Sequence, residues 1–138
     1  MNTNYKPRIM TGTDNHRSYF AWGGNMQVVR KGHGEIAMTE SELVGFFGVT
    51  WRKLNHKLQS LMKSPNLHLD EREAGEEPVF INGRLQGYAS LYPLSVIIAL
   101  SFLLDSTEAY LFREYVCQKL GQSISVITSI LLFGNADN

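Results

Sequence analysis

The sequence predicts an α+β chain that is mostly α, a winged helix-turn-helix with small β-hairpins and a C-terminal helical part. Three observations carry that prediction. Two short helical stretches flank the turn "GVT" after Phe47, the second of them basic on its outer side. An Asn82-Gly83 pair lies between extended apolar runs, and a nearly continuous apolar helix opens at Pro93. With 138 residues, 43% apolar and 19% charged, the composition is that of one ordinary globular domain. The longest apolar run, Val96 to Leu104, is broken by Ser101 and falls far short of the ~20 residues a bilayer span needs. No membrane helix is expected, and "MNTNYKPRIMTGTDN" lacks the apolar centre of a secretory signal, which points to the cytoplasm. The single cysteine, Cys117, cannot form an internal disulfide and is spaced for packing in a helix.

Residues 1–25, rich in Asn, Thr and Gly without a sustained period, are expected to form an irregular arm. "MQVVRKGHGEIAM" sets two apolar runs, Met26 to Val29 and Ile36 to Met38, around a glycine-containing loop, the pattern of a small hairpin. In "TESELVGFFG", Thr39 and Glu42 have the spacing of a capping box, and Leu43, Val44 and Phe47 share one face of the helix it opens. Gly48 supplies the residue on which such a helix ends, and Thr50 opens another helix two residues later.

That second helix is chemically one-sided. Residues 49–63, "VTWRKLNHKLQSLMK", carry Arg52, Lys53, Lys57 and Lys63 and no acid. At ~100° per residue, Trp51, Leu54, Leu58 and Leu61 form an inner stripe. Arg52, Lys53, His56, Ser60 and Lys63 fall on the outside, with Lys57 and Gln59 at the margins. Two helices joined by a glycine turn, the second basic outside, have the form of a helix-turn-helix whose outer face enters a major groove. The wider charge pattern agrees: residues 1–63 hold nine Lys or Arg against four acids, and residues 64–138 hold four against nine. Such a basic half favours a polyanionic partner.

Pro65 stops the helix, and the acidic stretch around Asp70, Glu71, Glu73, Glu76 and Glu77 reads as a solvated loop rather than a metal site. Asn82 and Gly83 are expected at the tip of a hairpin acting as a wing, with Arg84 placed to touch a phosphate. Pro93 suits the first turn of the apolar core helix, and Ser106, or Asp105 with Glu108, can cap the next one, which ends at Gly121. Tyr110, Leu111 and Tyr115, with Phe112, are expected to pack on the core helix. The uncharged run "SISVITSILLF" has more apolar residues than one helix face can bury, so residues 122–138 are expected to form an apolar helix that joins two copies.

The succession "MQVVRKGHGEIAMTESELVGFFGVTWRKLNHKLQSL" and "INGRLQGYASLYPLSVIIALSFLLDSTEAYLFREYV" resembles the RhuM family of bacterial proteins, to which DNA binding is ascribed from their fold. Phe46, Phe47, Gly48 and Val49 occupy the place of that family's Leu-Phe-Gly-like element. Tyr92, Ile97, Ile98, Ser106, Phe112 and Arg113 match its most recognisable segment in order. The resemblance spans roughly residues 26–120. It implies a winged helix-turn-helix domain, here 26–121, and no catalytic activity. The acidic loop and the C-terminal region differ from the family's, and no base preference carries over.

The expected function is duplex DNA binding, sequence-specific or general, by a homodimeric regulator linked to a mobile element. Its contact residues would be Thr50, Arg52, Lys53, His56, Lys57, Gln59, Lys63 and Arg84. The alternative is a non-catalytic protein-interaction or assembly module on the same fold. No cofactor, metal or small-molecule substrate is expected. The four histidines, His16, His33, His56 and His68, are scattered, and nothing nominates a catalytic residue.

Overall fold

The computed structural model describes residues 17–68 and 71–121. The chain enters through strand β1 (Tyr19–Trp22), makes a 3-10 turn at Gly24–Met26 and returns as β2 (Val28–Lys31), which pairs antiparallel with β1. Strand β3 (Ala37–Thr39) leads directly into helix α1 (Glu40–Phe47) and then α2 (Trp51–Met62). A hairpin of β4 (Glu76–Ile81) and β5 (Arg84–Pro93) follows, and helices α3 (Leu94–Leu103) and α4 (Thr107–Lys119) close the described chain. β5 pairs with β4 on one side and with β3 on the other, giving a three-stranded sheet of order β3-β5-β4.

The expectation of a mostly helical winged helix-turn-helix is corrected by this arrangement. The described residues are α+β, with four helices and two small antiparallel sheets, and β5 is as long as α3, ten residues each. Part of the reason is local. The segment read as an irregular arm contains β1, and Met26, expected to start a strand, has φ 57 and sits in the turn. The hairpin expected over residues 26–38 therefore does not form. β2 pairs backwards with β1, and Ala37 to Thr39 pair instead with Pro93, Tyr92 and Leu91. The loop between them wraps over Ser18, whose amide donates to the Glu35 carbonyl at 2.8 Å. Gly32 is required at this crossing, because a Cβ there would meet the Arg17 carbonyl at 2.2 Å and φ is +94°.

The core lies where α1, α2, α3, α4 and β1 meet. Phe47, Phe112, Leu43, Leu54, Leu58, Ile97 and Leu100 are fully buried, and Phe20 and Phe46 nearly so. Phe112 contacts Phe20, Phe46 and Phe47 edge-on, with ring centroids 5.0 to 5.9 Å apart, the preferred geometry for facing quadrupoles. Trp22 stacks on Phe46 at 4.7 Å and donates its indole N–H to the Phe46 carbonyl at 2.7 Å, so β1 satisfies an orphan acceptor at the end of α1. Arg113 does the same for α3, donating to the Ser101 and Leu104 carbonyls. Phe112 and Arg113, prominent in the family resemblance, thus have structural work here. Tyr110, expected to pack on α3, is exposed, and Ala109, Phe112 and Val116 fill that contact. Cys117 is buried, and burial pushes its thiol upward.

Helix ends follow the sequence closely. Thr39 and Glu42 form the reciprocal capping box, Thr50 caps α2, and Ser106 caps α4 through the Ala109 amide. Gly48 ends α1 in the left-handed region at φ 62, and a Cβ there would also collide with the Glu108 carboxylate at 2.5 Å. Pro93, expected inside the first turn of α3, instead ends β5 and stands at the N-cap. Of the acidic loop, Glu76 and Glu77 belong to β4, and Asp70 lies outside the described residues. The apolar segment 122–138 expected to join two copies also lies outside them. No helix among the described residues is long and apolar enough to cross a membrane.

Candidate functional site

Leu54 and Leu58 anchor α2 by burying one side of it, which leaves the opposite side facing solvent. Arg52, His56, Gln59 and Lys63 occur at intervals of four, three and four residues, so they stack into one stripe along that outer side, and all four are exposed. Lys63 is also the C-cap, its amide donating to the Gln59 and Ser60 carbonyls at 3.3 Å. Gln59, expected at a margin, belongs to the centre of the stripe, about 20° from Arg52 at ~100° per residue.

The remaining nominated residues have other surroundings. Thr50 is exposed, but its hydroxyl accepts the Lys53 amide at 3.1 Å and is therefore engaged as the helix cap. The Lys53 ammonium pairs with the Asp105 carboxylate at 3.0 Å, both ends largely exposed at 48% and 82%. The Lys53 hydrogen bond and charge hold the Asp105 carboxyl below its usual range, and Lys57, half-buried on the same flank, adds a smaller attraction. On the other flank Asn55 donates to Glu40 at 2.9 Å. Acids that are absent from the α2 sequence thus border it in space, and they confine the free basic surface to the outer stripe. Arg84 is exposed on β5 directly opposite Ile81, beside the Asn82-Gly83 turn, and is separate from that stripe. The turn itself has φ 54 and 78, the positive pair that a tight two-residue hairpin demands.

Trp51 was expected on the inner stripe and is 60% exposed. It stands at the rim of a groove of ≈ 880 Å³ between the start of α1 and α2 and the root of the hairpin, where Pro78, Val79 and Tyr88 form the other wall. Arg17 also lines this groove. Its guanidinium donates to Glu42 at 2.9 and 3.0 Å, to Glu77 at 2.7 Å and to the Ala37 carbonyl at 2.9 Å, tying the entering chain, α1 and β4 together. Burial opposes that charge, but hydrogen bonds and attraction from Glu42 and Glu77 outweigh it and raise the Arg17 pKa. Sequence reasoning missed Arg17 because its partners lie 25 and 60 residues away and no local pattern announces them.

Among the described residues no group of three His, Cys, Asp or Glu converges to hold a metal ion. No protein-family model, curated protein or solved structure matches the chain.

Proposed function

We propose that the chain binds duplex DNA through the outer stripe of α2. The observation that carries this reading is the exposed row Arg52, His56, Gln59 and Lys63 on a helix that has no acid in its first turn. Placing Arg52 and Lys53 at the positive end of a helix costs stability, and a polyanion offsets that cost by meeting both the cations and the helix pole. In a major groove, Arg52 and Gln59 have the donor geometry to read base edges, His56 can reach either edge or phosphate, and Lys63 suits a phosphate. Lys53, Lys57 and Arg84 add charge at the margins, and Thr50 holds the helix start. The resemblance to the RhuM family supports extending the reading to a cytoplasmic, non-catalytic regulator linked to a mobile element. Two copies of the chain would offer paired α2 helices to a pseudo-palindromic site.

The test is a gel-mobility titration against duplex DNA at about 50 and about 200 mM salt, since each neutralised phosphate contributes about 0.9 to the log–log slope. The parent should bind with a steep slope. Arg52→Glu with Lys63→Glu should weaken binding on the order of 10²-fold by reversing two cations near the phosphates. Its thermal midpoint should stay near the parent's, because Glu is favoured at a helix start and disfavoured at its end. A double variant that binds like the parent overturns the assignment. A non-catalytic protein-interaction role is the second reading, favoured by the exposed Trp51 above a groove lined by Glu40, Glu42 and Glu77. That reading is preferred if the parent fails to bind duplex DNA even at the lower salt.

A further inference from the structure

The β4–β5 hairpin carries two apolar surfaces that the described residues leave open, one at its tip and one at its root. At the tip Phe80 is 60% exposed, Ile81 55% and Leu85 51%. Phe80 pairs with Leu85 across the hairpin and Ile81 with Arg84, so apolar side chains stand on both faces of the tip. At the root Trp51 is 60% exposed, Tyr88 49% and Val79 38%, and all three line the groove of ≈ 880 Å³ that the starts of α1 and α2 share with the hairpin. Isolated exposed apolar residues need no explanation, but two clusters of them at opposite ends of one hairpin do.

The two surfaces are complementary in charge. From Pro78 to Pro93 the chain has no Asp or Glu, and Arg84 stands at the tip itself. The groove is lined by three carboxylates, Glu40, Glu42 and Glu77, against one guanidinium, Arg17, a net charge of 1 − 3 = −2. Arg17 is bound to Glu42 and Glu77, whereas Glu40 holds only the neutral amide of Asn55 among the described residues. The outer stripe of α2 is also basic, but it is polar throughout and offers nothing to Trp51, Val79 and Tyr88. The tip brings a cation and apolar side chains together. Within one copy it stands clear of the groove, because β4 climbs about 13 Å from Glu77 to Ile81 at ~3.3 Å per residue. Between two copies the geometry closes. Tip and groove lie at opposite ends of one hairpin, so two hairpins side by side and antiparallel put each tip at the root of the other, a two-fold contact rather than an open chain. β4 is the outer strand in the order β3-β5-β4, and Pro78 within it lacks an N–H, which interrupts any continuous ladder between two such edges and leaves the contact to side chains.

We propose that the chain forms a two-fold dimer in which the hairpin tip of each copy enters the groove at the root of the other copy's hairpin. Phe80 and Leu85 of one copy lie against Trp51 and Val79 of the other. Arg84 reaches Glu40 across the faces of Trp51 and Tyr88, where a guanidinium gains from both the carboxylate and the rings. Aromatic and arginine anchors seated in a pocket carry most of the affinity of an interface, and this pairing supplies both. The inference goes beyond the DNA-binding reading of α2 and does not depend on it.

The mass of the full chain is measured by light scattering at about 100 μM, where a dimer of micromolar Kd is nearly complete. The parent should be a dimer. Arg84→Glu should raise the dimer Kd on the order of 10-fold or more, and so should Glu40→Lys, because each sets like charges against one another. Combining the two substitutions in one chain should restore the dimer, which a merely structural loss in either variant would not do. Cross-linking tests the pairing without altering a contact named above. Ser41, exposed on the groove, and Gln86, exposed just past the tip, are replaced by Cys in separate chains, while the native Cys117 is buried. A short bis-maleimide should join Ser41→Cys to Gln86→Cys in a mixture of the two and neither variant to itself. A monomeric parent overturns the proposal, as does a dimer that Arg84→Glu leaves intact or that the combined substitutions fail to restore. Cross-linking of Gln86→Cys only to itself would make the contact tip to tip and overturns it as well. None of these outcomes bears on the salt-dependent titration that tests α2.

Discussion

Helices α1 and α2 are neighbours that begin with the same residue and solve opposite problems. Each is capped by a threonine hydroxyl that accepts the amide three residues on, Thr39 from Glu42 at 3.2 Å and Thr50 from Lys53 at 3.1 Å. In α1 that third residue is Glu42, whose carboxylate accepts from the Thr39 amide at 3.0 Å and from the Arg17 guanidinium. In α2 the third residue is Lys53, which cannot accept from the cap, and Arg52 beside it adds a second cation to the positive end of the helix. α1 buries Leu43, Phe46 and Phe47 among eight residues, whereas α2 buries only Leu54 and Leu58 among twelve. The difference teaches where selection for standing still ends. α1 matches its positive end with Glu40 and Glu42, though it carries Gly45 in its interior, while α2 sets Arg52 and Lys53 against that end, a local conflict of the kind expected where a surface meets a partner.

The largest effect that would break this comparison is in the core. Phe47→Ala should cost about 3–5 kcal/mol in urea denaturation, because it removes a fully buried ring from the contact with Phe46 and Phe112. If that cost is no greater than those of substitutions on the outer stripe of α2, the contrast between a buried α1 and a surface-facing α2 fails. A smaller effect compares the two caps directly. Thr39→Ala should cost about 1–2 kcal/mol, since it breaks a reciprocal box, and Thr50→Ala clearly less, about 0.5–1 kcal/mol, since only one bond is lost. Equal losses would show that the reciprocal carboxylate adds nothing.

The smallest effect concerns Asp105. Lys53 holds its carboxyl below the ordinary value, so the stabilisation from this pair is present above the unfolded-state pKa and is lost as pH falls through the lower folded-state pKa. The group is fully exposed, and the effect on stability is correspondingly slight. Lys53→Ala should move the Asp105 titration upward toward the usual carboxylate range when followed by NMR. An unmoved titration would mean that the pair does not persist in solution, and that Lys53 belongs with the free cations of the outer stripe.

Much of the site was legible because it rests on spacing within one helix. Residues 52, 56, 59 and 63 form a stripe on any α-helix, and no tertiary fact is needed to place them together. The neighbours of that stripe were not legible. Asp105 reaches Lys53 from 52 residues away, across the α3–α4 connection, and an acid-free stretch of sequence therefore does not make an acid-free surface. Trp51 misled for a related reason. Helical period assigns it a direction, but among the described residues that direction ends at the groove and not in the core.

The sequence by itself determined the elements whose energetics close within a few residues. The Thr39–Glu42 box, the left-handed Gly48, the Asn82-Gly83 turn and the Ser106 cap each depend on atoms no more than four positions apart, so the residue types are sufficient. Tertiary structure alone decided which strand pairs with which, and with it the fold class. β2 could have closed on the run after its loop, but Ala37 to Thr39 gain a place in a three-stranded sheet with Leu91 to Pro93, and β1 offers β2 a partner that also brings Phe20 and Trp22 onto α1. Apolar strand segments of similar composition are nearly interchangeable as local partners. The choice between them is made by how much surface the whole arrangement buries, and that quantity does not exist until the distant segments have met.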